Sequence, residues 1–125
     1  MLKKAAFGVL TTMILVSTAY AETCPSASSF HKLGDGDYIV SGPTGANLKV
    51  NVDPDVDDAT LKSLQFTSAR LQDKDSSNAK VICRYENSTA GGSLGWPTGK
   101  PVQGAGNNWK GDDCVGNDPS KCPFN

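Results

Sequence analysis

The sequence predicts a small, mostly β protein: an antiparallel sheet or sandwich with a loop-rich C-terminal segment, held together by two disulfides. Three observations predict this class. Short runs of β-branched and aromatic residues alternate with clusters of Gly, Pro, Asn and Asp, which is typical of strands joined by turns. The chain of 125 residues contains four cysteines, an even number. An apolar N-terminal segment indicates export, and small exported domains commonly pair their cysteines.

The N-terminal segment, residues 1–21, is predicted to be a cleaved signal peptide. Two lysines precede a twelve-residue apolar run at 5–16, and a small-x-small cleavage signal ends at Ala21. The run is too short for a membrane-spanning helix, which needs about 20 residues. The sequence therefore predicts one mature domain over residues 22–125, without a membrane span, in the periplasm or outside the cell.

The charge of the predicted mature domain disfavours several classes of partner. Removing the two lysines of the signal peptide leaves 10 basic residues against 13 acidic ones, a formal net charge of −3. No basic block remains, so nucleic-acid binding is not expected. We expect a monomer without a cofactor, whose partner is a protein or a glycan outside the cytoplasm.

All four cysteines lie in the predicted mature domain and are expected to form two disulfides. A zinc site is disfavoured because no two cysteines are two to four residues apart and His31 is the only histidine. Three pairings are possible, and we favour first with second and third with fourth. The residues between the last two, 115–121, include Gly, Asn, Asp and Pro, which let the chain reverse. The cysteines are Cys24, Cys83, Cys114 and Cys122.

Two antiparallel hairpins and one short helix are predicted before residue 87. Residues 38–40 and 46–52 form the first hairpin around a glycine-rich turn, and residues 65–72 and 79–86 form the second. The second strand of each hairpin alternates apolar and polar residues, which is typical of a half-buried strand. The helix is predicted at 59–64, between the hairpins.

The C-terminal segment from residue 87 is rich in Gly, Asn, Ser, Pro and Asp, and it is predicted to wrap the sheet as a loop. A few apolar side chains are expected to pin it to the core, together with the final disulfide. These are Trp96, Val102, Trp109, Val115 and Phe124.

Within that segment, residues 91–95 fit G-x-S-x-G, the pattern of a hydrolase nucleophile elbow with Ser93 as the nucleophile. An elbow needs a helix directly after the serine and a histidine later in the chain. A Trp-Pro pair follows instead, which favours an extended backbone, and no histidine follows Ser93. We therefore interpret residues 91–99 as a flexible or turning loop. A small hydrolase using Ser93 or His31 is kept as an alternative.

An acidic stretch raises the question of calcium. Asp53, Asp55 and Asp57 match the first ligand positions of an EF-hand loop. The glycine expected at its sixth position is Asp58, and the bidentate glutamate expected at its twelfth is Leu64. We expect no dedicated metal site. The favoured interpretation is a solvated turn in which Asp57 or Asp58 caps the helix, and a weak calcium site is the alternative.

Two tryptophans of the C-terminal segment, Trp96 and Trp109, are the binding candidates. Tryptophan in a loop is either a core plug or an exposed stacking platform. Asn107 and Asn108 precede the second indole, and exposed aromatic rings beside asparagines suit recognition of sugars or proteins. In so small a domain the core plug is the favoured interpretation.

The mature chain opens on Cys-Pro at 24–25, carries a V-x-C-x-Y strand at 81–85 and closes on Cys-Pro-Phe at 122–124. In these features it resembles small, exported, uncharacterised proteins of Gram-negative bacteria. The resemblance implies export and a disulfide-bonded domain, and it implies no activity. We therefore expect a non-catalytic secreted or periplasmic binding domain. An inhibitor of a secreted enzyme, presenting the loop at 91–99, is the alternative within binding.

Overall fold

The computed structural model describes residues 21–125, so the predicted signal peptide lies outside the described residues except for Ala21. The domain is mostly β, as predicted, with one short α-helix, α1 (Asp58–Lys62), and 3-10 turns at Ala27–Ser29 and Pro119–Lys121. Among residues 21–125 no helix has the length and apolar character that crossing a membrane requires. The strands are β1 (His31–Lys32), β2 (Tyr38–Ser41), β3 (Asn47–Asp53), β4 (Gln65–Gln72), β5 (Lys80–Glu86), β6 (Gly91–Pro97), β7 (Trp109–Lys110) and β8 (Asp113–Val115).

The strands form a single antiparallel sheet in the order β1-β2-β3-β6-β5-β4-β8-β7. Both predicted hairpins are confirmed, as β2–β3 and β4–β5. The predicted helix is confirmed as α1, and the Asp57 side chain caps it by accepting a hydrogen bond from Thr60 N at 2.8 Å. The two hairpins do not pair directly, because β6 lies between β3 and β5.

The prediction of a loop at 91–99 is wrong, because Gly91–Pro97 is the strand β6 in the interior of the sheet. Glycine has low strand propensity, so the local composition favoured a loop. Pairing with a strand on each side overrides that preference. The glycines also suit close approach: a Cβ on Gly92 would lie 3.2 Å from Leu64 Cδ1, and one on Gly95 would lie 3.2 Å from Lys80 Cδ.

The hydrophobic core lies on one face of the sheet. Alternate residues of the central strands, including Val50, Val81 and Leu94, point into it. The N-terminal segment, α1 and the C-terminal segment cover this face. At its centre the ring of Tyr85 packs edge-to-face against Phe30 and Phe66, with centroid distances of 4.9 and 5.8 Å.

Both predicted disulfides are confirmed. Cys24–Cys83 ties the N-terminal segment to β5, and Cys114–Cys122 ties β8 to the C-terminal segment, with Cα–Cα distances of 6.0 and 5.8 Å. All four half-cystines are buried. Two buried disulfides fit an oxidising compartment, because thiols of cytosolic proteins are kept reduced.

The C-terminal segment is anchored on Phe124, which is fully buried. Its backbone exchanges two hydrogen bonds with Glu22, at 2.7 and 2.9 Å, and it forms a bridge to Gly104 on its other side. Val102 is also buried, as predicted for an anchor. The same prediction for Val115 is wrong: its side chain is 76% exposed, because it projects from the outer face of β8.

Candidate functional site

The outer face of the sheet holds an open groove of about 710 Å³, centred on β6. On β3, β6 and β5, residues that point into the core alternate with residues that project from the outer face, and the outward-facing residues line the groove. The polar and glycine residues that line it include Lys49, Asn51, Asp53, Arg84, Glu86, Gly91 and Ser93, together with Asp37 and Asp55.

The floor of the groove is low because β6 has almost no side chains on this face. The first three outward-facing residues of β6 are Gly91, Ser93 and Gly95. A Cβ on Gly91 would have the carbonyl oxygen of Tyr85 as its nearest neighbour, at 3.8 Å, so the space above this glycine is open. Longer side chains on β3 and β5 therefore form two walls along a floor of backbone and one hydroxyl.

One end of the groove is cationic. Ser93 lies opposite Asn51 of β3 on one side and opposite Arg84 of β5 on the other. Lys49 precedes Asn51 by two residues and therefore projects from the same face of β3. Each wall of this end therefore carries one basic residue, Lys49 on β3 and Arg84 on β5.

The other end of the groove is acidic. Gly91 lies opposite Asp53 of β3 and Glu86 of β5, so two carboxylates flank the bare glycine. Asp55, two residues after Asp53, also lines the groove. Asp37 instead lies beside Asn51, because the next residue, Tyr38, pairs with Val50. Asp55 also lies near the core tyrosine of β2, with 3.4 Å between its Oδ1 and Tyr38 Oη.

The charged groups of the groove are not consumed by internal ion pairs. Within residues 21–125 the ion pairs are Lys62–Asp58, Arg70–Asp113 and Lys74–Asp112, and none involves a groove residue. Lys49, Asp53, Arg84 and Glu86 are all exposed. Their charges are therefore available to a bound ligand.

The structure does not bring Ser93 and His31 together. His31 lies on β1 and Ser93 on β6, with β2 and β3 between them, which is about 14 Å at roughly 4.8 Å per strand. The imidazole Nδ1 instead lies 3.3 Å from Lys62 Nζ. A serine nucleophile needs its base within hydrogen-bond reach, so this pair does not form a nucleophile and base.

The three aspartates weighed as calcium ligands do not converge. Hydrogen bonds from the Thr60 hydroxyl and backbone N–H hold the pKa of the Asp57 carboxyl below its ordinary value, so this carboxylate serves the helix cap. In the part of the chain that the structure describes, no three His, Cys, Asp or Glu side chains gather in a group suited to a metal ion. The weak calcium site gains no support from this arrangement.

The two tryptophans lie on the core side of the sheet, away from the groove. Both are half-buried, and both donate their indole N–H within the protein: Trp96 to Glu22 Oε1 at 3.3 Å, and Trp109 to the Pro123 carbonyl at 2.7 Å. The Trp109 ring covers Gly104 so closely that a Cβ there would overlap it. These contacts support the core-plug interpretation.

The asparagines beside Trp109 do not form a shared platform with Trp96. Asn108 donates its side-chain N–H to the Lys121 carbonyl at 2.9 Å, which ties the C-terminal segment together. Asn107 is exposed. Binding at the tryptophans and these asparagines stays a prediction, and the groove on the opposite face is the better-formed site.

Sequence reasoning missed the groove because the groove depends on β6. The alternation in 46–52 already places Lys49 and Asn51 on a polar face, and Arg84 follows from the alternation in β5. What no local pattern indicates is that a glycine-rich strand separates them and lowers the floor. If residues 91–99 are interpreted as a loop, nothing in the sequence predicts that β3 and β5 lie on either side of one strand.

No protein-family model matches the chain, and neither a curated protein nor a solved structure matches it. The resemblance to exported bacterial proteins therefore stays a prediction. Function is inferred from the residues of the groove themselves.

Proposed function

We propose that the protein is a non-catalytic, exported binding domain whose ligand lies in the groove above β6. The observation that carries the proposal is the groove itself: about 710 Å³ of open space, walled by charged side chains and floored by Gly91 and Ser93. Ligand sites commonly occupy about 300–1,000 Å³. Pairing of β6 with β3 and with β5 sets the separation of the two walls, so a ligand meets a preformed site.

The separation of Ser93 from His31 supports binding rather than catalysis, since the histidine is too far away to act as a base for a serine nucleophile. The two disulfides and the predicted signal peptide support a location outside the cytoplasm. The partner we propose is a protein or a glycan encountered there.

The inhibitor hypothesis loses the loop on which it depended. An inhibitor of this kind inserts an exposed loop into an active site, and Gly91–Pro97 is paired on both sides within the sheet. No observation favours another loop for this role, so binding in the groove is the function we retain.

The test fills the groove without disturbing the core. Ser93→Tyr places a ring on the outer face above the floor, whereas Val115→Tyr places the same ring on the outer face of β8, outside the groove. The disulfide-bonded protein is titrated, by amide chemical shifts, with blocked tripeptides of varied charge and with neutral and acidic disaccharides. We expect at least one compound to shift amides of β3, β5 and β6, with affinity lowered at least about tenfold, or about 1.4 kcal/mol, by Ser93→Tyr.

Val115→Tyr is expected to bind as the unmodified protein does. Perturbations that map outside the groove, affinity that Ser93→Tyr leaves unchanged, or no shifts with any compound at millimolar concentration each contradict the proposal. Hydrolysis of any compound that is lost in Ser93→Ala would favour the hydrolase instead.

A further inference from the structure

We infer that the groove takes a zwitterionic ligand, namely an extended peptide segment that bears an acidic and a basic side chain two residues apart. The inference rests on the proposed function and names the class of ligand for the same site. It follows from how the unpaired charges of the groove are ordered along the strands.

The cationic end is built to hold a carboxylate. Lys49 and Arg84 rise from strands on either side of β6, and neighbouring strands lie about 4.8 Å apart, so their Cα atoms flank the floor at roughly 10 Å or more. Both side chains are long enough to lean over the floor. A carboxylate placed above Ser93 accepts charge-assisted hydrogen bonds from either wall, and the Ser93 hydroxyl lies beneath it.

The acidic end is built to hold an ammonium or guanidinium group. Asp53 and Glu86 flank Gly91 directly across the two ladders. Because Gly91 has no side chain and open space above it, a cation can settle between the carboxylates close to the backbone. Asp55, two residues after Asp53, adds to the negative potential there.

The charge order argues against ligands of a single sign. Four acidic residues and two basic ones line the groove, and the carboxylates of Asp53 and Glu86 lie two residues along the strands from Arg84. The acidic end repels a polyanion such as a sulfated glycan or a nucleic acid, and the two cations repel a polycation. A ligand that carries one charge of each sign satisfies both ends.

A neutral sugar fits less well because the groove offers no exposed ring for stacking. Tyr38 and Tyr85 line it, yet both side chains are buried in the core, at 5% and 2% exposure. Tyr85 donates its hydroxyl to the Pro25 carbonyl at 2.6 Å, and its burial raises the pKa of that hydroxyl. Neither ring can turn outward without unpacking the core.

The spacing selects an extended peptide. The row through Ser93 and the row through Gly91 are two residues apart along β6, which is about 7 Å at roughly 3.4 Å per residue. An extended peptide repeats the direction of its side chains every two residues, with the same rise. An acidic and a basic side chain at positions i and i+2 therefore reach the two ends together, in whichever direction the peptide runs.

The probe is N-acetyl-Glu-Gly-Lys amide, whose blocked ends leave only the two side-chain charges. It is compared with the peptides in which Gln replaces either Glu or Lys, by amide chemical shifts on the disulfide-bonded protein at low salt. We expect the doubly charged peptide to bind about fivefold tighter than each neutralised one, as exposed ion pairs of up to about 1 kcal/mol predict. We expect that preference to decline with added salt.

Variants assign each charge to its end of the groove. Arg84→Gln is expected to weaken the preference for Glu over Gln and to keep the preference for Lys over Gln, and Asp53→Asn is expected to do the reverse. Arg70→Gln is the matched control, because this exposed arginine pairs with Asp113 on the same face of the sheet, outside the groove.

Equal affinity for the three peptides, or preferences unaltered by Arg84→Gln and Asp53→Asn, overturns the inference. So does groove binding of a disaccharide, blocked by Ser93→Tyr, when the charged peptide shifts no amide at millimolar concentration; the binding site itself then stands with a different ligand. Absence of any shift in the groove with peptides and sugars alike overturns both proposals.

Discussion

Removing the disulfide between Cys24 and Cys83 is expected to lower the free energy of unfolding by about 4 kcal/mol. The bond closes a ring with a sequence separation of 59 residues, so it excludes many open conformations of the unfolded chain. In the folded protein it fixes the N-terminal segment over β5. The paired change Cys24→Ala and Cys83→Ala should lower the melting temperature by about 15–25 °C, measured by calorimetry.

The second disulfide provides the matched comparison. Cys114 and Cys122 are separated by only 8 residues, so their ring restricts the unfolded chain less, by about 2.6 kcal/mol in the same chain-entropy treatment. The pair Cys114→Ala and Cys122→Ala should therefore destabilise the domain less than the first pair. A larger loss from the short ring, or no loss from the long one, would show that ring size does not govern their contributions.

Truncating the Phe124 side chain should destabilise the domain about as much as removing the Cys24–Cys83 disulfide. Its ring is fully buried although it is the penultimate residue, and its backbone joins Glu22 to Gly104. Phe124→Ala removes that buried ring and leaves a cavity where the two ends of the described chain meet. We expect a loss of about 3–5 kcal/mol, measured by denaturant unfolding.

Val115→Ala serves as the control for Phe124→Ala, since the valine is an apolar residue of the same C-terminal segment and is 76% exposed. Its unfolding free energy should stay within about 0.5 kcal/mol of the unmodified protein. If the two variants unfold alike, Phe124 is not an anchor and the C-terminal segment is not part of the cooperative domain.

Local patterns predicted the parts of the fold that are themselves local. The two hairpins follow from period-two alternation and glycine-rich turns, and the helix cap follows from an aspartate at the end of a turn. The disulfide pairing could also be predicted, because Cys114 and Cys122 are only 8 positions apart and the turn-forming residues between them let the chain reverse.

The strand β6 could not be predicted from local sequence, because its residues individually disfavour a strand. Four of the first five residues of Gly91–Pro97 are Gly or Ser, and only Leu94 of those five offers a core side chain. The ladders to β3 and β5 stabilise it, and both are partners distant in the sequence. The candidate site was missed for the same reason, since it is the space that this bare strand leaves between two walls.

The tryptophans are the opposite case, because their residue type suggests a binding surface although both rings pack on the core side of the sheet. Both indoles are held by internal hydrogen bonds at the core side of the sheet. The residues of the groove, by contrast, are ordinary exposed charges, and only their register across three strands brings opposite signs to opposite ends.

The measurement that tests the groove most directly is amide hydrogen exchange at Gly92 and Ser93. Successive amides of an antiparallel strand point alternately to its two neighbours, so one of these N–H groups faces β3 and the other faces β5. The groove exists only if both ladders form, so both amides should be protected to a degree similar to that of Val81 in β5. Exchange as fast as that of Gly34, in the turn between β1 and β2, would mean that this segment is a loop after all. The groove, its charge order and the proposed ligand would then have no structural basis.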